Sequence, residues 1–76
     1  MIFPRLRDLR KDNDLTQAEM GKYLWVSQRT YSLYETGKRE VPLAVFIKLA
    51  DLYGVSVDYL MGLSDDPTPY PPCNKE

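Results

Sequence analysis

The sequence contains no histidine and only one cysteine, Cys73. Zinc sites of the cysteine/histidine kind, metalloprotease motifs and histidine-based acid–base catalysis are therefore excluded, and one cysteine cannot form an internal disulfide. A glycine-rich phosphate loop is also missing, and no base stands at an interpretable spacing from a nucleophile. We expect a protein that is not an enzyme and that holds neither a metal nor a cofactor.

Long apolar runs are absent as well. No run approaches the roughly 20 residues that a membrane span requires, and the N-terminal MIFPRLRDLRK has no apolar core of signal-peptide length. We therefore expect a cytoplasmic protein without membrane contact, and the single cysteine agrees with a reducing compartment. The 76 residues predict one domain, without a second catalytic or ligand-sensing domain.

The charges are nearly balanced but unevenly distributed. The net charge is −1, whereas a DNA-binding domain usually carries an excess of lysine and arginine. Residues 1–48 hold nine Lys/Arg and six Asp/Glu, and residues 49–76 hold one Lys/Arg and five Asp/Glu. The first part is thus net positive and suited to a polyanion, although non-specific affinity should be weak.

Two short helices separated by a tight turn are predicted in the stretch from Leu15 to Gly37, which reads LTQAEMGKYLWVSQRTYSLYETG. Thr16 with Glu19 three residues later forms a capping box, so a helix should run from residue 17 to about 24. Ser27 then caps a second helix over about 28–35, and Gly37 ends it. Polar residues at the exposed start of such a second helix suit a DNA major groove.

Three further helices should surround this pair. Pro4 favours a helix over about 3–12, and Pro42 opens a helix that Gly54 ends. A short fifth helix over about 56–61 closes at Gly62. Apolar residues at helical spacing predict the core, and they are Leu6, Leu9, Met20, Leu24, Tyr31, Tyr34, Val45, Phe46, Leu49, Ala50, Tyr53, Val57 and Leu60.

After Leu63 the composition changes to SDDPTPYPPCNKE, with four prolines in thirteen residues. Proline forbids helix at several of these positions, and the segment has too little apolar surface to fold. We predict a domain over 1–63 and a disordered tail over 64–76. The alternatives for the tail are a dimer arm and a ligand for a protein partner.

Four segments occur in a fixed order along the chain: LTQAE, VSQ, YETGKR and LADLYGVS. Through them, residues 5–62 resemble the lambda-repressor-like helix-turn-helix of the xenobiotic-response-element (XRE) family. The resemblance implies an all-α, compact five-helix fold with a helix-turn-helix at helices two and three. It also implies a transcriptional regulator, usually a repressor, that binds specific sequences of double-stranded DNA.

In this family the residues after the cap of helix three point into the major groove. The resemblance assigns this role to Gln28 and Arg29, with Ser32 and Leu33 one turn further along. Glutamine pairs with adenine, arginine pairs with guanine, and an apolar group meets the thymine methyl. The alternative is that these residues form an ordinary solvated helix face. This alternative is strongest for Leu33, because family members often have a polar residue at that position.

The candidates for phosphate contacts are Gln17, Ser27, Lys38 and Arg39. The family places the glutamine that begins helix two across the DNA backbone, and helix N-termini suit phosphates. Alternatively, Lys38 and Arg39 lie in a charged loop that contacts only solvent. The resemblance further implies a structural salt bridge between Arg10 and Glu35, which would keep Arg10 from DNA.

Trp25 departs from the family pattern, which usually has glycine at the end of helix two. A left-handed backbone there costs a bulky residue about 1–2 kcal/mol, so the turn is either strained or slightly reshaped. The indole either lies over a neighbouring apolar groove, which is the usual role of a large aromatic side chain, or it forms part of a partner surface.

One recognition helix reads only about four or five base pairs, so we expect a homodimer on DNA. Its surface should come from the loop between helices three and four, or from Met61, Leu63 and the start of the tail. Alternatively, Met61 and Leu63 complete the core of the monomer. Two rival functions remain: an antitoxin, and a protein-interaction module that kept the fold but lost DNA binding.

Overall fold

Capping residues set the helix boundaries of this chain. The structure, a computed structural model, describes residues 2–69, and within that range it is all-helical. The helices are α1 (Pro4–Asp12), α2 (Gln17–Leu24), α3 (Gln28–Thr36), α4 (Leu43–Tyr53) and α5 (Val57–Met61). The predicted five-helix, lambda-repressor-like fold is confirmed.

The caps form as the sequence indicates, but α4 and α5 each begin one residue later than predicted. The Glu19 amide donates to Thr16 Oγ1 at 3.1 Å and the Thr16 amide donates to Glu19 Oε1 at 2.8 Å, which completes the capping box. Ser56 accepts from the Tyr59 amide at 3.0 Å and so caps α5 without belonging to it. Pro42 likewise precedes α4 instead of opening it, because its backbone is extended, with ψ at 149°.

The core draws one fully buried side chain from each helix: Leu6, Met20, Tyr31, Leu49 and Leu60. Each lies on the apolar face that the helical spacing predicted. An edge-to-face contact, 5.1 Å between ring centroids, joins Phe3 and Phe46 at one margin of this core. Because every helix contributes to a single core, the position of α3 depends on all the others.

The chain after α5 turns back along the domain. The Arg5 guanidinium donates to the carbonyl oxygens of Tyr59 and Ser64 at 2.8 and 2.6 Å, and to Asp65 Oδ1 at 2.7 Å. It also lies 3.9 Å from the centroid of the Tyr59 ring. The Ser56 amide donates to the Pro67 carbonyl at 3.1 Å. Residues 64–67 therefore lie against α1 and α5.

The division of the chain at residue 63 stays a prediction. Tyr70–Glu76, and with them Cys73 and most of the predicted tail, lie outside the described residues. None of the helices in the described range is long and apolar enough to cross a membrane.

Candidate nucleic-acid interface

A glycine sets the close packing of α2 against the start of α3. A Cβ atom at Gly21 would lie 2.9 Å from the Val26 carbonyl oxygen and 3.1 Å from the Gln28 amide nitrogen. Contacts this short to backbone atoms leave no room for a side chain. Gly21 thus lets the turn fold directly onto α2, and this fixes where α3 begins.

The turn takes the left-handed backbone at Trp25, the strained one of the two conformations that the sequence left open. Trp25 has φ 62° and ψ 36°, its amide donates to the Lys22 carbonyl at 3.2 Å, and the Val26 amide donates to the Gly21 carbonyl at 2.9 Å. This paired pattern is the Schellman motif. The indole, however, is 88% exposed, so the expectation that it covers a neighbouring groove was wrong.

One face of α3 is buried and the opposite face is open. Tyr31, Tyr34 and Glu35 are buried, whereas Gln28 and Arg29 are exposed. A single surface depression of about 450 Å³ is lined by Gln17, Gln28, Arg29, Ser32 and Leu33. The structure therefore brings all four predicted base-contact residues together, with one predicted phosphate-contact residue beside them.

The other three predicted phosphate-contact residues lie at the two ends of α3. Ser27 caps the helix, because its Oγ accepts from the Thr30 amide at 3.0 Å. Lys38 and Arg39 are exposed just after Gly37, which has φ 76°. Neither side chain forms an ion pair within residues 2–69. Both cations are consequently available to an anionic ligand.

A buried charge pair ties α1 to the end of α3. Arg10 Nε lies 2.6 Å from Glu35 Oε2, and Arg10 Nη2 lies 3.2 Å from Glu35 Oε1. The two side chains are only 11% and 4% exposed. The pairing that the resemblance implied is thus present, and the guanidinium also donates to the Leu15 carbonyl at 2.9 Å. The charge of Arg10 is therefore paired inside the protein.

Glu35 is held ionised by its neighbours. Burial by itself raises the pKa of Glu35, but the hydrogen bonds from Arg10 and Gln17, together with the positive charge of Arg10, lower the pKa below its ordinary value. Burial, followed by the nearby Glu35 carboxylate, raises the pKa of Tyr31, so this tyrosine stays neutral. Both members of the Arg10–Glu35 pair therefore stay ionised, and the pair adds no net charge beneath the polar and cationic surface of α3.

Gln17 connects this buried pair to the open face. Its Nε2 donates to Glu35 Oε1 at 3.1 Å while its side chain lines the same depression as Gln28. The sequence predicted only a phosphate contact for Gln17, and it did not predict this bond to Glu35. Gln17 and Glu35 lie on two different predicted helices, and no local sequence pattern indicates which residues of separate helices come together.

An all-helical domain with a glycine-packed corner between α2 and α3, and with the outer face of α3 left open, defines a helix-turn-helix protein. The sequence profile of the helix-turn-helix family matches residues 6–60. The chain therefore belongs to this family, of the XRE type.

Several curated proteins are similar to the chain. The HTH-type transcriptional regulator YobD of Bacillus subtilis is 42% identical over 69 residues, which cover 91% of this chain and 62% of that protein. The cryptic phage CTXphi transcriptional repressor RstR of Vibrio cholerae is 37% identical over 65 residues, 86% of this chain and 59% of the repressor. The chain thus spans about three fifths of the length of these relatives. No solved structure matches the chain.

Proposed function

We propose that this chain binds specific sequences of double-stranded DNA, reads the major groove with α3, and acts as a transcriptional repressor. The observation that carries the proposal is the single depression lined by Gln17, Gln28, Arg29, Ser32 and Leu33. The repressor role is supported by the name of the similar protein RstR, and regulation more broadly by the name of YobD.

The exposed groups of α3 match what base readout requires. Gln28 offers an amide that pairs with adenine, and Arg29 offers a guanidinium that pairs with guanine. Leu33, which is half-buried, presents an apolar surface to a thymine methyl, and Ser32 offers a hydroxyl. Together they supply donors, acceptors and apolar contact across one turn of helix.

Phosphate contacts would hold this face in register on the duplex. Lys38 and Arg39 provide free cations at the end of α3. The Gln17 and Ser27 side chains already form internal bonds, so the backbone amides at the two helix starts are the groups best suited to phosphate.

A homodimer would place two α3 helices one turn of DNA apart, about 34 Å. The two predicted dimer regions are neighbours in the structure, because Val41, Leu43 and Met61 line one depression. Leu43 and Leu63 are 64% and 73% exposed. Met61 is half-buried and packs against the core, so it serves the monomer as well. A protein partner for the tail remains a prediction, since 70–76 lie outside the described residues.

Selection of bound sites from random double-stranded DNA tests the proposal. We expect one enriched sequence with two related half-sites in inverted orientation. The control is the variant Gln28→Ala/Arg29→Ala, which keeps the buried side of α3 intact and should lose the base preferences that these two residues provide. If the parent protein enriched none, the proposed function would be wrong.

A further inference from the structure

Trp25 is an aromatic side chain that the folded monomer does not use. It is 88% exposed, the largest exposed fraction among the large hydrophobic residues of the described range. Its indole N–H has no hydrogen-bond partner within residues 2–69, and its backbone is left-handed, with φ 62°. Glycine adopts that conformation without steric cost. The turn would therefore form more easily without the indole, which contributes little to the packing of the monomer.

The position of Trp25 relative to α3 is fixed. The turn packs closely on α2, because a Cβ atom at Gly21 would lie 2.9 Å from the Val26 carbonyl oxygen and 3.1 Å from the Gln28 amide nitrogen. Three residues of chain, which span at most about 11 Å, separate Trp25 from Gln28. The major groove is about 12 Å wide. When the start of α3 occupies the groove, Trp25 is therefore close enough to reach the sugar–phosphate backbone that borders the groove.

The charge around the turn favours the same ligand. Residues 20–34 contain no aspartate or glutamate, and their two charged residues are the cations Lys22 and Arg29. Lys22 lies three residues before Trp25, and it is exposed as well. An exposed cation three residues from an exposed indole N–H donor, with no acidic group in this stretch, suits a polyanion.

We propose that Trp25 contacts the DNA backbone at the edge of the groove that α3 occupies. The indole Nε1–H donates to a phosphate oxygen, and the ring lies against the adjoining deoxyribose. This inference rests on the proposed function. A backbone contact of this kind adds affinity and fixes register but reads no base, so the indole strengthens binding to any sequence.

Intrinsic fluorescence reports on this contact directly, because Trp25 is the only tryptophan in the chain. Acrylamide quenching is measured on the free protein and on the protein saturated with its selected operator. Saturation is established independently from the fluorescence anisotropy of labelled DNA. We expect the quenching constant to fall severalfold in the complex. An unchanged constant with DNA fully bound would overturn the contact and leave the proposed function standing, whereas absence of DNA binding would overturn both.

Two variants separate the indole from the turn. Trp25→Gly suits the left-handed backbone, and Trp25→Phe keeps an aromatic ring without the N–H donor. We expect Trp25→Gly to weaken binding to the operator and to unrelated DNA alike, by about three- to tenfold, as for one lost hydrogen bond. The dependence of affinity on salt should stay unchanged, because no cation is removed. Trp25→Phe should show a smaller loss of affinity.

The control is Ile47→Ala, which removes a side chain that is 55% exposed on α4 and should bind DNA like the parent. Parent-like affinity of Trp25→Gly would contradict the proposal. So would acrylamide protection that appears without DNA as the protein concentration rises, because a second copy of the chain would then cover the indole.

Discussion

The side chains of Arg10 and Glu35 meet at two points, with Nε–Oε2 at 2.6 Å and Nη2–Oε1 at 3.2 Å. This pair joins the first helix to the end of α3, and Gln17 adds a bond from the start of α2 to the same carboxylate. The Glu35 carboxylate therefore joins α1, α2 and α3. Because α3 carries the candidate reading face, the orientation of that face depends on this pair.

Arg10→Met should lower the free energy of unfolding by about 3 kcal/mol, because it leaves the Glu35 carboxylate buried without a counter-charge. The double variant Arg10→Met/Glu35→Met should recover most of this loss. Arg7→Met is the control, since Arg7 is exposed on the same helix. Urea unfolding followed by circular dichroism measures the difference. A loss no larger than that of Arg7→Met would show that the pair contributes little.

The same carboxylate predicts an acid dependence. The pKa of Glu35 is lower in the folded protein than its ordinary value of 4.5, so folding favours the ionised form. The stability that Glu35 contributes is therefore fully present above about pH 4.5 and is lost as the pH falls through the folded pKa. Urea unfolding between pH 7 and pH 3 should show a shallower decline for Glu35→Gln than for the parent. Parallel declines would contradict this assignment.

Helix boundaries and caps were predictable because they depend on residues close together in the sequence. Thr16 and Glu19 form their capping box within one turn, and Ser27 caps α3 through Thr30. The backbone of Trp25 was left open between a strained and a reshaped turn, because the family pattern has glycine there and a tryptophan disfavours the left-handed conformation. The exposure of its indole was not predictable either, because burial depends on which helices reach that point.

In the candidate site, too, some features follow from local sequence and others depend on packing. That Gln28, Arg29, Ser32 and Leu33 share one face follows from helical periodicity. The bond from Gln17 to Glu35 joins residues 18 apart. The bonds of Arg5 span 54 to 60 residues, and α1 offered no local sign that this arginine would bind carbonyl groups within and after α5. Such partners are set by packing.

Gly21→Ala should lower the free energy of unfolding by about 1–3 kcal/mol, the usual cost of overpacking. The added Cβ would meet backbone atoms at 2.9 and 3.1 Å, and the backbone cannot yield without moving the start of α3. The control is Lys22→Ala on the exposed side of α2, which should change stability little. Thermal unfolding of the two variants beside the parent checks the prediction. A stabilised Gly21→Ala protein would show that the corner is looser than the structure indicates.

Arg5→Ala should reduce stability by about 1–2 kcal/mol, because the guanidinium bonds two carbonyl groups and covers the Tyr59 ring. Asp65→Ala removes only the exposed partner, which is 98% solvent-accessible, and should cost less than about 0.5 kcal/mol. Denaturant unfolding of both variants tests the difference. Equal losses would mean that the ion pair, not the carbonyl contacts, holds residues 64–65 in place.

A full pseudo-palindromic operator should bind two protomers, and much more tightly than its isolated half-site. The physical reason is that one recognition helix of this size discriminates too little alone. Titration at physiological salt, with stoichiometry from native mass spectrometry, provides the measurement. Leu43→Glu should weaken binding to the full site while leaving the half-site unaffected, because Leu43 is 64% exposed in the proposed dimer surface. Equal affinity for both DNAs, with one protomer on each, would reject the dimer.

The central claim is that α3 reads bases through Gln28 and Arg29, and the most direct measurement is a substitution matrix. The affinities of the parent, Gln28→Ala, Arg29→Ala and Lys38→Ala are determined on every single-base variant of the operator. Each of the first two variants should lose about 1–3 kcal/mol on the best site and should relax the preference at one base position. Lys38→Ala should weaken binding to all sequences equally and reduce the salt slope by about one unit. Base preferences identical to the parent's in both α3 variants would contradict the account.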